Sequence, residues 1–153
     1  MSNGLLLLFL FVGLALSISF LCSILEATLL SARISELIVR KEKKEKGAAI
    51  LLEFKQNRID EAISAILTLN TIAHTIGAAM AGAKEAIALG DAWVGDFSVV
   101  LTLLVLVVTE IIPKTLGTVY ASQLVGIVGR TIKALTVILW PVLQFTNGIT
   151  RLI

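Results

Sequence analysis

Cysteine, histidine and proline are all scarce in this chain of 153 residues, which contains one cysteine, one histidine and two prolines. The single cysteine, Cys22, permits neither an internal disulfide nor a thiolate metal cluster. The single histidine, with no Gly-x-Ser-x-Gly elbow and no His-Glu-x-x-His motif beside it, gives little support to an enzyme. Basic clusters with interleaved aromatic residues are missing too, so we expect no nucleic-acid partner.

Apolar residues, in contrast, are abundant. They make up 57% of the chain, and the mean hydropathy is +0.95. A soluble domain usually contains about 45–50% apolar residues. The first four residues carry no positive side chain, and the apolar run after them is too long for the core of a signal peptide, so we interpret it as a retained helix. The composition predicts an integral membrane protein whose main partner is the lipid bilayer.

Three apolar segments are predicted to span this bilayer, because each provides about the 20 residues that a spanning helix requires. They cover residues 5–30, 59–83 and 97–119. Residues 120–153 are predicted to form juxtamembrane helices at the inner interface, since the apolar run after Ala134 is too short for a clean span. The expected fold class is therefore an all-α membrane protein with three transmembrane helices, the third kinked at Pro113, plus a C-terminal juxtamembrane helix.

The charged segment, residues 31–58, contains eight Lys and Arg residues against four Glu. By the positive-inside rule this segment is cytoplasmic, which puts the N-terminus outside and the C-terminus in the cytoplasm. Its core, from Arg40 to Lys46, is predicted to be a solvated helix or hairpin arm that ends at Gly47. Contact with anionic lipid is an alternative, but topology explains the charge with fewer assumptions. The expected location is the plasma membrane of a bacterium or archaeon.

Each predicted span also carries a polar set. The sets are Ser19, Ser23 and Glu26 in the first span, Asn70 and His74 in the second, and Thr109 and Glu110 in the third. An unpaired polar group in hydrocarbon costs several kcal/mol, so three sets in one small bundle are predicted to converge. Two alternatives stay open, since membrane serines often bond back to their own helix and Glu26 could reach the interface.

The third set has an additional feature, because Pro113 follows Thr109 by four residues. Proline has no N–H, so the Thr109 carbonyl loses its helical hydrogen-bond partner beside the Glu110 carboxylate. Two oxygens at one place favour a cation, and hard oxygen ligands suit Mg²⁺ or Na⁺. The alternative is an ordinary ion pair between Glu110 and Lys114, four residues further on. Spacing leaves both interpretations open.

A stripe of small residues occupies the second span. Ala73, Gly77 and Ala81 recur every four residues, a pattern that allows another helix to approach closely. We expect a helix–helix contact along this stripe.

Several of these motifs resemble those of a known family. The segment Ser19-Phe-Leu-Cys-Ser-Ile-Leu-Glu-Ala-Thr-Leu-Leu-Ser31 resembles the first-helix signature of the transmembrane domain shared by CNNM and CorB/CorC magnesium transporters. The run Thr109-Glu-Ile-Ile-Pro-Lys-Thr115 is similar to the third-helix motif of that domain. Leu67-Thr-Leu-Asn-Thr-Ile-Ala-His74 falls where its second helix carries asparagines, and Trp140-Pro141 fits the proline after its last span. The resemblance covers nearly the whole chain.

The resemblance implies a homodimer of three-helix protomers that transports Mg²⁺, with Na⁺ as a candidate coupling ion, through an inward-facing acidic cavity. Carried over residue by residue, the implied ligands are Ser23, Asn70 and Glu110. Ser19 and the Thr109 carbonyl are possible additions to this set.

The sequence departs from the family pattern in two ways. His74 stands where the family usually has a second asparagine, and imidazole prefers Zn²⁺, Ni²⁺ or Co²⁺, so another divalent ion is an alternative to Mg²⁺. The family's cytoplasmic pair of CBS domains is not within these 153 residues, and the chain could be either a segment or a stand-alone member. A second functional hypothesis is a non-transporting scaffold or regulatory subunit, in which Glu110 is only structurally paired with Lys114.

Overall fold

The computed structural model describes residues 3–88 and 94–150, and helices occupy almost all of both ranges. The elements are α1 (Asn3–Ser31), α2 (Ile34–Glu42), α3 (Lys46–Asn57), α4 (Ile59–Ala88), α5 (Val94–Leu104), a π-helical segment (Val105–Ile111), α6 (Ile112–Val119), α7 (Ala121–Ile138) and α8 (Trp140–Thr150). No strand occurs within these described ranges. The predicted all-α class is confirmed.

Four helical stretches are long and apolar enough to cross a membrane. They are Phe9–Ser31, Ile59–Met80, Thr102–Val119 and Ala121–Ile138. The first three correspond to the predicted spans. The fourth, α7, was expected to be juxtamembrane, so the prediction of three spans is corrected to four candidates. The prediction failed because it began the last apolar run at Ala134, beyond Arg130 and Lys133, whereas α7 is one continuous helix of 18 residues that includes both charges.

The chain folds into two compact units. The first unit contains Met1–Ser23 and Leu69–Pro113, and the second contains Ile24–Thr68 and Lys114–Ile153. All six residues predicted as ligands belong to the first unit. The charged segment belongs to the second unit.

In the first unit, the small-residue stripe of α4 meets α1. Ala73 and Gly77 are both buried, and a Cβ atom placed on Gly77 would overlap the Cβ of Ala15. The predicted close approach is therefore confirmed at Gly77, because only a residue without a side chain fits there. The side chain of Ala81, the third member of the stripe, lies outside the described residues.

In the second unit, the charged segment forms two helices joined by a tight turn. The turn includes Lys44, whose φ of 62° lies in the left-handed region, and the N–H of Glu45 donates to the Arg40 carbonyl. Gly47 does not end the charged arm as predicted; it lies buried in the first turn of α3. Of the two predicted forms, solvated helix or hairpin arm, the structure has the hairpin: α2 and α3 form an α2–α3 hairpin (Ile34–Asn57) with an exposed turn.

Gly47 is buried because α3 and α7 come into backbone contact there. A Cβ on Gly47 would meet the Gly126 Cα at 2.6 Å, and a Cβ on Gly129 would collide with the Gly47 carbonyl oxygen. Gly126 itself has free space, since nothing lies within 4 Å of the position that its Cβ would take. At this crossing, Gly47 and Gly129 therefore have no room for a side chain, whereas Gly126 does.

The end of α1 is held by a lysine from α3. Lys55 Nζ donates hydrogen bonds to the carbonyls of Leu29, Leu30 and Ala32, at 3.0, 2.7 and 2.6 Å. The last carbonyls of a helix lack partners within the helix and carry its negative dipole end, so an ammonium group satisfies both requirements. Burial lowers the pKa of Lys55.

Candidate functional site

The candidate site is built around the π-helical segment that precedes Pro113. The N–H of Ile112 donates to the Val107 carbonyl, five residues back, which is the bond that defines a π turn. Thr109 is completely buried within this segment, and its Oγ1 donates back to the Val105 carbonyl at 2.7 Å. The distortion predicted at Pro113 therefore begins upstream of it, as a change from α-helical to π-helical hydrogen bonding.

The carbonyl of Thr109 is the group that Pro113 deprives of a helical donor. Ser23 on α1 supplies the replacement, since its Oγ donates to the Thr109 carbonyl oxygen at 2.5 Å. Ser23 is itself buried. The structure thus brings together two of the predicted ligands, a hydroxyl and a carbonyl, from elements far apart in the sequence.

A second contact joins another two of the predicted residues. Ser19 Oγ on α1 lies 2.8 Å from His74 Nε2 on α4. In the part of α1 that the structure describes, the hydroxyls of Ser19 and Ser23 bond to other helices, in contrast to Ser17, whose Oγ donates to the Gly13 carbonyl at 2.7 Å. The back-bonding alternative is therefore realised at Ser17 but not at the two candidate serines.

Asn70 lies one helical turn before His74 on α4. Its side-chain oxygen, Oδ1, is buried, and the described part of the chain offers it no hydrogen-bond donor. A buried polar group without a partner typically costs about 1–3 kcal/mol. Such an oxygen is consistent with a binding site, because a cation would satisfy it.

Glu110 follows Thr109 in the π-helical segment and is half-buried. Within residues 3–88 and 94–150, the structure gives its carboxylate neither a hydrogen bond nor an ion pair. Lys114 has a different acidic partner, because its Nζ lies 3.6 Å from Glu26 Oε2 in the second unit. The Glu26 carboxylate therefore has a cationic neighbour on α6.

A small cavity of about 50 Å³ opens in the first unit beside His74. It is lined by Val12, Ala15, Leu16, His74, Gly77, Ala78 and Val105. His74 is the ionisable residue among those that line this cavity. The cavity is large enough for at least one water molecule. The imidazole that binds Ser19 therefore also borders a space that water can occupy.

The first unit thus combines hydroxyl, carbonyl, amide and carboxylate oxygens with one imidazole. Among the described residues, no group of three or more His, Cys, Asp or Glu side chains lies together as a metal site. Mg²⁺ commonly takes one or two carboxylates and keeps several waters, so a single carboxylate with neutral oxygens suits it.

Sequence reasoning missed a polar contact in the second unit, between the end of α1 and α6. Thr28 Oγ1 donates to the Gly117 carbonyl at 3.2 Å, and a Cβ on Gly117 would lie 2.8 Å from the Ile24 carbonyl oxygen. The available signal was a glycine in an apolar helix, which often marks close helix packing. That signal points to Gly117 as a place of close packing, but it does not predict that the end of α1 packs there.

Helices of this length and apolarity, with two polar contacts between α1 and other helices of the first unit, are consistent with an integral membrane protein. Residues 8–153 match the Cyclin M transmembrane N-terminal domain, and the chain belongs to this CNNM family. The family is linked to divalent-cation transport rather than catalysis. The resemblance of the helix motifs is thereby confirmed.

Two relatives support this assignment. The chain is 36% identical over 135 residues to the UPF0053 protein sll1254 of Synechocystis sp., which covers 86% of this chain and 39% of that protein. It is 29% identical over 94 residues to the UPF0053 inner membrane protein YfjD of Escherichia coli K12, covering 61% of this chain and 22% of that protein. The chain spans less than half the length of either relative.

Proposed function

We propose that this protein transports Mg²⁺ across the membrane and binds it in the first unit, among α1, α4 and the π-helical segment. The ligands would be Ser23, Asn70 and Glu110, with Ser19 and the Thr109 carbonyl as further oxygens. Support comes from the direct contact of Ser23 with Thr109 and from family membership.

The observation that carries the proposal is the unsatisfied Oδ1 of Asn70. A membrane protein has no bulk water to satisfy such an oxygen, so the cost persists unless a ligand or a bound water relieves it. The half-buried Glu110 carboxylate presents the same need with a full negative charge. One hydrated cation would satisfy both groups.

The ion is proposed as Mg²⁺ because the surrounding donors are mainly hard oxygens. His74 is the exception, and its Nε2 already lies in hydrogen-bond contact with Ser19. We assign His74 to holding Ser19, with Zn²⁺ or Co²⁺ ligation as the competing role. The Ser23 hydroxyl uses its proton in the hydrogen bond to the Thr109 carbonyl, so its oxygen lone pairs remain available to a cation.

The transport mode is proposed from the family resemblance. The protein would work as a homodimer with the N-terminus outside and the charged segment, residues 31–58, in the cytoplasm. Each protomer would expose the Glu110 carboxylate alternately to the two sides of the membrane, with Na⁺ as coupling ion. In this proposal the π-helical segment is the movable element, since π turns often mark functional positions in helices.

A thermal-shift experiment on the purified protein tests the site. We expect Mg²⁺ to raise the unfolding temperature of the wild type, because saturating a site at 100 times its Kd adds about 2.7 kcal/mol. Glu110→Gln should lose this response. Glu42→Gln, an exposed carboxylate on α2, is the matched control and should keep it. Asn70→Leu should lose the response and gain about 1–2 kcal/mol of stability without Mg²⁺, because the unpaired oxygen is gone.

A full Mg²⁺ response in Glu110→Gln would overturn the site. If Zn²⁺ or Co²⁺ but not Mg²⁺ raised the unfolding temperature, and His74→Asn abolished that rise, the imidazole would be the metal ligand and the ion would not be Mg²⁺. Transport itself requires Mg²⁺ flux in proteoliposomes that Glu110→Gln eliminates. Binding without flux would favour the non-transporting scaffold.

A further inference from the structure

The α2–α3 hairpin is tied to one face of the membrane at both of its ends. The candidate span of α1 ends at Ser31, and α2 begins at Ile34. The hairpin's second helix ends at Asn57, and the next candidate span begins at Ile59. With connections of only one or two residues, neither end of the hairpin can move far from the lipid headgroups.

Part of the surface of α2 is apolar even though this helix is outside the candidate spans. Ile34, Ile38 and Val39 are 41%, 42% and 50% exposed, while Leu37 is completely buried. Ile34 and Ile38 are one helical turn apart and share a face. The helix therefore packs with Leu37 and leaves a second apolar face largely uncovered by the protein.

The turn beside this face is basic. Lys41, Lys43, Lys44 and Lys46 are all exposed, and within the described residues none of them forms an ion pair. The neighbouring acids do not neutralise these lysines, because Glu36 and Glu45 pair with Arg40 at 2.9 and 3.3 Å. Glu42 is the one exposed acid left between them, so the turn carries excess positive charge.

We propose that the face formed by Ile34, Ile38 and Val39, together with these four lysines, binds anionic phospholipid at the membrane surface. The apolar side chains would enter the boundary between headgroups and acyl chains, and the ammonium groups would contact headgroup phosphates. Amphipathic helices with basic residues bind membrane interfaces in this way, and each basic residue near an anionic surface adds attraction.

Charge and position together select lipid as the occupant. A purely apolar face could be covered by a second copy of the chain, but unpaired lysines would then face the same lysines of that copy. The anchoring of the hairpin at both ends already holds it near the membrane surface, so lipid binding needs little additional ordering of the chain. This inference does not depend on the cation site.

The test measures the unfolding temperature of detergent-solubilised protein during titration with short-chain phosphatidylglycerol or phosphatidylcholine. For the wild type, we expect saturable stabilisation by phosphatidylglycerol and a much smaller effect of phosphatidylcholine. One variant combines Lys41→Gln, Lys43→Gln, Lys44→Gln and Lys46→Gln, and should bind phosphatidylglycerol at least about tenfold more weakly. The matched control combines Lys→Arg changes at the same four positions and should stay within about twofold of the wild type.

Two further arms separate the contributions. Glycerol 3-phosphate at the same concentration should give no stabilisation, because it lacks acyl chains. Ile34→Ser with Ile38→Ser should weaken the phosphatidylglycerol response while the unfolding temperature without lipid stays close to that of the wild type, since both side chains are exposed.

Three results would overturn the proposal. They are an undiminished phosphatidylglycerol response in the four-glutamine variant, equal responses of the wild type to both lipids, and stabilisation by glycerol 3-phosphate alone. A shift from dimer to monomer in the Ile34→Ser, Ile38→Ser variant, measured by light scattering, would also overturn it and assign the face to a second copy.

Discussion

The two units of this protein treat their polar groups in opposite ways. In the second unit, Lys55 satisfies three carbonyls at the end of α1, and Arg40 pairs with two glutamates. In the first unit, Asn70 Oδ1 is buried without a donor among the described residues. A buried polar group without a partner calls for a specific explanation, such as a bound water or ion. The second unit therefore satisfies the end of α1 from within the protein, whereas the first unit contains a buried oxygen without a partner among the described residues.

The largest expected effect comes from breaking the backbone contact of the second unit. Gly47→Ala puts a methyl group 2.6 Å from the Gly126 Cα, and backbone atoms cannot move aside as a flexible side chain can. Since overpacking a core typically costs about 1–3 kcal/mol, we expect about 3 kcal/mol or more. Thermal unfolding of the purified protein measures this loss.

Gly126→Ala is the control for that change, because nothing lies within 4 Å of the added methyl. It should be neutral or stabilise the protein by up to about 1 kcal/mol, through the higher helix propensity of alanine. Equal destabilisation by both substitutions would mean that the α3–α7 crossing does not depend on the space at Gly47.

A smaller effect is expected in the first unit from Ser23→Ala. The change removes the hydroxyl that donates to the Thr109 carbonyl, and helix–helix hydrogen bonds in membranes average about 0.6 kcal/mol with a maximum near 1.7. We expect a loss near the upper end, because Pro113 lacks the N–H that would pair with this carbonyl in an α-helix. Ser17→Ala should lose less, because its hydroxyl only bonds back within α1. The same unfolding assay compares the two, and equal losses would contradict the assigned role of Ser23.

The smallest effect concerns pH and the α2–α7 contact of the second unit. The Ser122 hydroxyl donates to Glu36 Oε1 at 2.5 Å, and this bond, aided by Arg40, lowers the pKa of Glu36 below 4.5. A lowered pKa means that the folded state favours the ionised carboxylate, so the stabilisation exists at neutral pH and is lost as pH falls below about 4.5. Because the side chain is about one-third exposed, the effect should be well under about 1 kcal/mol.

Ser122→Ala tests that assignment. It should bring the pKa of Glu36 closer to 4.5 and flatten the acid limb of the curve of unfolding temperature against pH, measured from pH 7 to pH 3. A variant whose acid limb is as steep as that of the wild type would show that Glu36 does not contribute through Ser122.

Sequence reasoning predicted the helical class and the residues of both polar contacts in the first unit, but it was less successful with helix limits. Pro113 led directly to the Thr109 carbonyl, because proline chemistry is local. The fourth candidate span was missed because Arg130 and Lys133 interrupt its hydropathy, although the helix is continuous. Gly47 was interpreted as a terminator because glycine commonly ends helices, whereas here it serves close packing.

By itself, the sequence determined that this is a membrane protein with a polar group in each apolar span, because hydropathy and proline geometry act within a few residues. Only the tertiary structure decided which groups meet. Ser19 and His74 are 55 residues apart, and Ser23 and Thr109 are 86 apart. Such distances depend on how helices pack, and packing is set by the sum of many weak contacts rather than by any local pattern.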